Sequence, residues 1–380
     1  MDDGDQQRVL ITADTVGGVF SYAASLAAEL SRRGFQVALA TMGAPATADQ
    51  REQLAAVPGL SLFESSFALE WADDPWRDVD AAGEWLLELE REFRPDVVHL
   101  NGYSHAALPW SVPALVVAHS CVLSWWRAVL GEDAPSRFDT YRARVRAGLE
   151  AASLVVAPTA AMLSALRREH AFSGRACVIA NGADPARFRA LPKRPFFLAA
   201  GRLWDRAKNL ALLERAAPAL PWPVQVAGAA EPGRAAASNL LALGRLAHAE
   251  LAALMAEAPV FLHPARYEPF GLAPLEAALS GAALVLGDIE SLREVWGDAA
   301  VYVDPDDVGA LAREATRLAQ DGARRERLAA RAQRRAASYG LAATAAMYAA
   351  RYRELAARRA RSSARSSFVP SSSALERAAR

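Results

Sequence analysis

Two carboxylates stand eight residues apart in Arg266-Tyr267-Glu268-Pro269-Phe270-Gly271-Leu272-Ala273-Pro274-Leu275-Glu276, flanking a turn and a helix start. Pro269, Gly271 and Pro274 mark the turn, and Leu275 to Leu279 can continue as helix. The amides of Phe270, Gly271 and Leu272 then lie at a helix N-terminus, a seat for a phosphate or another anionic oxygen. Glu276 follows about one turn later. A carboxylate accepts two hydrogen bonds at once, which suits the adjacent hydroxyls of a ribose. Two glutamates at a fixed spacing are cheap and often just solvated acids. An anion seat beside a diol clamp, however, suggests a nucleoside diphosphate.

Cations for such a ligand occur in Gly201-Arg202-Leu203 and Lys208-Asn209. Arg202 leaves a strand end and Lys208 lies near the next helix. Together they could meet both phosphates, the arginine as a planar fork and the lysine as a point charge. Charge neutralised in this way removes the need for a metal. Thr15-Val16-Gly17-Gly18-Val19 also joins a strand to a helix, and its glycines let a ligand approach the backbone. It lacks the full dinucleotide fingerprint, and no acid closes the strand ending at Ala38 to Thr41, which argues against a nicotinamide enzyme. His119 ends the strand Leu115 to Ala118, and His99 and Asn101 end another; each reads as a site residue or as a structural one. Trp125, Trp126 and Arg127 could line an acceptor groove, touch a membrane surface or pack at an interface.

The elements that must position these residues alternate. Strands are predicted at Arg8 to Thr12, Gln36 to Ala40, Val97 to Leu100, Ala114 to Ala118, Leu154 to Ala157 and Val178 to Ala180. A second series follows at Pro195 to Ala200, Val224 to Ala227, Leu240 to Leu243, Val260 to Leu262, Ala283 to Leu286 and Val301 to Val303. Helical spacing between the strands, as over Val19 to Ser31, implies two parallel sheets covered on both faces. The fold class is therefore α/β, with two Rossmann-like doubly wound domains facing across a cleft. The divisions expected are 1–187, 188–340, a helix over 341–358 and a disordered Arg/Ser/Ala tail over 359–380. Asp184 to Arg194, with Pro185, Pro192, Lys193 and Arg194, reads as the hinge. Ligand sites of such sheets lie at the carboxyl ends of the strands, here between the domains.

Composition narrows the classes. The 380 residues suffice for two cores, and 43 Lys+Arg balance 43 Asp+Glu, which excludes a general polyanion or nucleic-acid binder. Cys121 and Cys177 lack metal-ligand spacing and point to a reducing compartment. The acidic start Met1 to Asp5 is unlike a signal peptide, and the apolar run from Leu108 to Trp126 is broken by Pro109, Pro113 and His119. A soluble cytoplasmic protein without an integral membrane segment is expected, with a peripheral membrane contact left open.

The Glu-x7-Glu pattern, with Gly281-Ala282-Ala283-Leu284-Val285 and the stretch at Glu294, resembles the donor-site signature of family 4 glycosyltransferases. The resemblance runs from about Val9 to Leu355. It implies the GT-B fold, with a terminal helix (here carrying Tyr348, Tyr352 and Leu355) returning to the first domain. It further implies a retaining, metal-independent transfer from a nucleotide-sugar donor to an acceptor, and no cofactor. The donor residues it implies are Gly17, Gly18, Arg202, Lys208, Leu246, Phe270, Gly271, Leu272 and Glu276, with Glu268 and His119 at the transferred sugar. The Arg202–Lys208 gap is one residue longer than in many members, which makes Arg206 the other candidate. Gly244-Arg245-Leu246 resembles the loop meeting the base, and Asn181-Gly182-Ala183-Asp184 the domain junction. Rival readings are a sugar-nucleotide epimerase of the same fold, a glycoside hydrolase using the Glu pair, and a nonenzymatic sensor. Donor base, donor sugar, acceptor, linkage and oligomeric state are not legible.

Overall fold

A computed structural model describes residues 6–229 and 237–366. The first domain carries strands β1 (Arg8–Asp14), β2 (Gln36–Met42), β3 (Leu60–Glu64), β4 (Val97–Leu100), β5 (Ala114–Val117), β6 (Leu154–Ala157) and β7 (Ala176–Val178). The second carries β8 (Phe197–Ala200), β9 (Val224–Ala227), β10 (Leu240–Gly244), β11 (Val260–His263), β12 (Ala283–Gly287) and β13 (Val301–Val303). The sheet orders are β3-β2-β1-β4-β5-β6-β7 and β10-β9-β8-β11-β12-β13. Each neighbouring pair in either sheet is parallel. This is the two-domain α/β architecture of the GT-B fold. β4, β5, β6, β8 and β11 are buried throughout, because helices cover both faces of each sheet.

In each sheet the order reverses beside the first strand of the domain, between β1 and β4 and between β8 and β11. A crevice opens at such a switch point. Gly17, Asn101, Arg202 and Glu268 all follow these four strands.

Two strands depart from expectation, and both lie at a sheet edge. β3 was not predicted, because Leu60-Ser61-Leu62-Phe63-Glu64 buries only part of one face. β7 begins two residues earlier than the expected Val178, since pairing Ala157 with Val178 fixes its register and its own three residues carry little pattern.

The chain crosses between the domains twice, side by side. Leu341 N–H donates to the Ala183 carbonyl and Ala183 N–H to the Tyr339 carbonyl. A Cβ at Gly182 would lie 2.6 Å from Thr344 Oγ1, so only glycine lets the crossings approach this closely. The hinge expected to extend to Arg194 is shorter. The Lys193 ammonium donates to the carbonyls of Ala256 (2.9 Å) and Ser280 (2.7 Å), at the ends of two second-domain helices, and Arg194 pairs with Glu257. Residues 191–194 thus belong to the second domain. Burial pulls the Lys193 pKa down to about 8.

The last helix, Leu341–Ser366, returns to the first domain and buries Ala345, Tyr348, Ala349, Tyr352 and Leu355 among Val9, Phe20, Leu26 and Phe35. It runs past Arg358, so residues 359–366 of the expected tail are helical, as continuation of a helix already packed costs less than starting one. The remainder of that tail, 367–380, lies outside the described residues, as does Met1 to Asp5. No helix among the described residues is long and apolar enough to cross a membrane.

Candidate active site between the two domains

The second domain supplies the charged half. Asp205 caps a short turn over Arg206–Lys208, and Asn209 (φ +58°) follows in the left-handed region. Asn209 is buried, its amide donating to the carbonyls of Pro264 and Pro305. Within this turn Arg206 is exposed and Lys208 is turned inward. Lys208 Nζ donates to Glu268 Oε2 at 2.6 Å. The same oxygen lies 3.0 Å from Nε2 of His263, which ends β11. Both Lys208 and Glu268 are mostly buried, their side chains 17% and 13% exposed. Burial opposes the Glu268 charge, but Lys208 and His263 outweigh it and hold the carboxyl well below the usual range. Burial pulls the His263 pKa down, so its ring is neutral and donates from Nε2. Sequence reading missed His263, because a histidine ending an apolar strand gives no local sign of what it faces.

Gly271 (φ +93°) turns the chain into the helix Leu272–Leu279. Its carbonyl accepts from Leu275 N–H. Because Pro274 has no N–H, the first turn presents the amides of Leu272 and Ala273. The Phe270 ring is in the core, edge-on to Tyr339, so this residue offers a ligand only its backbone. Glu276 faces a small cleft between the domains, with Tyr22 and Ser25 on one wall and Asp184 and His248 on the other. His248 Nε2 lies 3.9 Å from Glu276 Oε1. Leu246, after β10, is partly buried against the second-domain core.

The first domain faces this half with its glycine loop. Asp14 Oδ1 accepts from Val16 N–H and fixes the loop, and Gly17 takes φ +94°. A Cβ on Gly17 would meet Arg202 Cδ at 3.5 Å, and one on Gly18 would meet Leu272 Cδ1 at 4.0 Å. Across the cleft, Gly17 therefore approaches the Arg202 side chain and Gly18 the Leu272 side chain. Burial raises the Asp14 pKa to about 6 against the Val16 bond and Arg202. Asp14 too escaped sequence reading, since a strand-end acid is common.

His119 Nε2 lies 2.7 Å from Asn101 Oδ1, and His99 Nε2 lies 3.1 Å from the same oxygen. Asn101 Nδ2 donates to the Thr12 carbonyl at 2.6 Å, which fixes the amide orientation. Both imidazoles thus donate from Nε2. His99 Nδ1 accepts from Tyr352 of the returning helix at 2.6 Å, while His119 keeps Nδ1 as an acceptor. Burial pulls the His99 pKa down to about 4; for His119, burial and then His99 pull it to about 3. Both rings are neutral near pH 7.

Polar contacts pin the domains together beside the site. The Tyr267 hydroxyl accepts from Cys121 N–H at 3.0 Å and lies 2.9 Å from Ser124 Oγ. Trp125 Nε1 donates to Asp205 Oδ1, and Thr159 Oγ1 to the Pro269 carbonyl. Trp126 packs on Phe138 and Arg127 pairs with Glu169 and Asp133, so this trio serves packing and the interface. Glu294 caps a helix of the opposite domain, its two oxygens accepting from Ala160 N–H (2.7 Å) and Ala161 N–H (2.9 Å). Glu294→Ala is expected to cost about 1 kcal/mol, read as a lower urea midpoint; an unchanged midpoint would show the cap to be idle.

Comparison with known proteins agrees with this two-domain architecture. The sequence model of Glycosyltransferase Family 4 matches residues 16–187, and that of Glycosyl transferases group 1 matches 194–321. The O-antigen chain mannosyltransferase B of Escherichia coli is 40% identical over 89 residues, 23% of each chain. That match spans about a quarter of the relative's length. The alpha-maltose-1-phosphate synthase of Mycobacterium tuberculosis is 27% identical over 266 residues, 58% of this chain and 67% of that protein. Among solved structures, sucrose-phosphate synthase from Thermosynechococcus elongatus superposes with a TM-score of 0.78 at 19% identity, over 93% of this chain and 100% of the other. Anabaena HepE in complex with UDP and glucose gives 0.72 at 16% identity, over 92% and 100%. Identities this low speak for the fold alone. With one family match over each domain and the charged and glycine-rich halves facing across the cleft, the chain belongs to the family 4 glycosyltransferases.

Proposed function

We propose that this protein transfers a hexose-type sugar from a nucleoside diphosphate sugar to an acceptor hydroxyl, with retention and without a metal. The observation that carries this reading is the approach of Gly17 to Arg202 and of Gly18 to Leu272 across the cleft, with Lys208 and Glu268 paired in the second domain. Arg202, Lys208 and the Leu272 and Ala273 amides would hold the diphosphate, and Glu276 the ribose. Glu268 would bind hydroxyls of the transferred sugar and face the positive charge forming at its anomeric carbon. His119 would offer its free Nδ1 to a sugar hydroxyl. In a same-face displacement, the anomeric C–O bond to phosphate breaks as the acceptor oxygen bonds that carbon. The acceptor proton passes to the leaving phosphate oxygen, so no protein base is required.

The hydrolase reading fits the site less well. A glycosidase acid needs a raised carboxyl pKa, whereas Lys208 and His263 overcome burial and hold Glu268 ionised. The structural neighbour solved with UDP-glucose makes uracil the first base to try.

Calorimetry with UDP, GDP and ADP in EDTA tests the donor site. One diphosphate is expected to bind, as well as in magnesium buffer, with Arg202→Ala and Glu276→Ala each weaker by about tenfold or more. Absence of binding to all three would sink the reading, and binding only with magnesium would sink its metal-free form. Interconversion of sugar nucleotides without an acceptor would favour the epimerase.

A further inference from the structure

Asp205 does not touch the space assigned to the donor, yet both proposed diphosphate cations hang from it. Its carboxylate is 7% exposed and each oxygen is used. Oδ1 accepts from the Trp125 indole N–H at 3.0 Å and from Ala207 N–H at 2.9 Å. Oδ2 lies 3.3 Å from Arg202 Nη2. The backbone repeats the pattern, with Asp205 N–H donating to the Arg202 carbonyl at 3.0 Å and Lys208 N–H to the Asp205 carbonyl at 2.9 Å. One residue therefore fixes the start of the segment carrying Arg202 and the turn that aims Lys208.

Capping that turn requires only the bond to Ala207. The other two bonds extend beyond a cap, and one comes from the opposite domain. Trp125 stands on the first-domain helix Val122–Leu130, whose start is seated on the Tyr267 hydroxyl through Cys121. Tyr267 adjoins Glu268 in sequence. The Arg202 guanidinium has five N–H donors and spends one on Asp205, which leaves its fork free for phosphate.

We propose that Asp205 is the positioning residue of the diphosphate site, and that its bond to Trp125 makes the aim of Arg202 and Lys208 depend on docking of the first-domain helix. This rests on the donor-site reading above. Its consequence is specific: an indole N–H in the opposite domain, in contact with no donor atom, sets the affinity for a nucleoside diphosphate. Pairing of Oδ1 with Trp125 and Ala207 leaves only Oδ2 for Arg202 and so limits the carboxylate to a single bond with the guanidinium. A donor is then held firmly only when the domains are closed, the state that excludes water from the reacting sugar.

The test is UDP binding by calorimetry to the full chain, in wild type, Trp125→Phe, Asp205→Ala and the double variant. Thermal melting checks that each is folded. Trp125→Phe keeps an aromatic ring at the position but removes the indole N–H with its pyrrole ring, and it is expected to weaken UDP binding about tenfold. In the Asp205→Ala background the same change should have no further effect, an outcome that a merely structural tryptophan would not give. If Asp205→Ala does not fold, Asp205→Ser replaces it, keeping a cap oxygen for Ala207 N–H on a side chain too short to serve Trp125. Unchanged UDP affinity in Trp125→Phe, with Arg202→Ala having lost binding, would overturn the coupling and leave the donor-site reading standing. An equal loss in both backgrounds would overturn it too, by showing that Trp125 acts through another contact. A wild type that binds none of UDP, GDP and ADP would overturn both proposals.

Discussion

Glu268→Gln is expected to lower the transfer rate by about 10²–10³ while leaving diphosphate affinity near or slightly above that of the wild type. In the unliganded site Lys208 is committed to Glu268 at 2.6 Å, so an arriving diphosphate must compete with this carboxylate for the ammonium. Removing the carboxylate charge frees Lys208 for the phosphate, which helps ground-state binding. The transition state loses the fixed negative charge that faces the developing positive carbon. The two effects oppose each other and separate kcat from Kd. Arg202→Ala should do the reverse, with affinity falling first. His263 holds the Glu268 carboxylate from the other side, and the glutamine can still accept from His263, so the fold should survive. UDP release from UDP-glucose, measured beside UDP calorimetry, reads both quantities. A variant keeping more than a tenth of the wild-type rate would remove Glu268 from the centre of the chemistry.

Acid should unfold this protein from an unusually high pH. His99, His119 and His170 are held neutral by burial, with pKa values pulled to about 4, 3 and 4. The unfolded chain takes up these protons near pH 6.5, whereas the folded chain does not until about pH 4. A depressed histidine therefore contributes stability above pH 6.5 that is lost as the pH falls below it. By pH 5 the loss is roughly 2 kcal/mol for each imidazole. Asp14 acts in the opposite sense, because its carboxyl, raised to about 6, takes up a proton in the fold first. That returns about 1 kcal/mol over the same range and leaves a net loss on the order of 5 kcal/mol. Below the usual carboxylate range Glu268 adds to the loss, since its folded pKa is depressed. Urea midpoints at pH 7.5, 6.5 and 5 would show the slope. A flat profile would mean that these rings meet water or a partner in solution.

The second half of the site was the more legible. Glu268, Glu276, Arg202 and Lys208 stand in segments where turn residues, a helix start and charge coincide locally. The partners that set their chemistry did not show. His263 reads as the end of an apolar strand, and neither Asp205 nor Tyr267 carries a local sign of the residue it meets. Asp205 and Tyr267 meet Trp125 and Cys121 from segments far apart in the chain, while His263 reaches Glu268 only five residues on because the intervening turn folds back, a geometry that residue types alone do not give. The hinge misled for the same reason: Pro192-Lys193-Arg194 has linker composition, but two helix-end carbonyls from elsewhere bind Lys193.

The sequence by itself determined the alternation of buried strands and helices, hence two doubly wound domains and crevices at their strand ends. Period and composition act within a few residues, and parallel strands buried on both faces leave little choice. It also determined which charges lie near the crevice. The tertiary structure decided how those charges are spent. It joined Lys208 to Glu268, fixed the imidazole tautomers through Asn101 and Tyr352, tied Asp205 to Trp125 and let Glu294 cap a helix of the opposite domain. These are pairings between distant segments in a low-dielectric interface, where a group's state depends on the few atoms that replace its water.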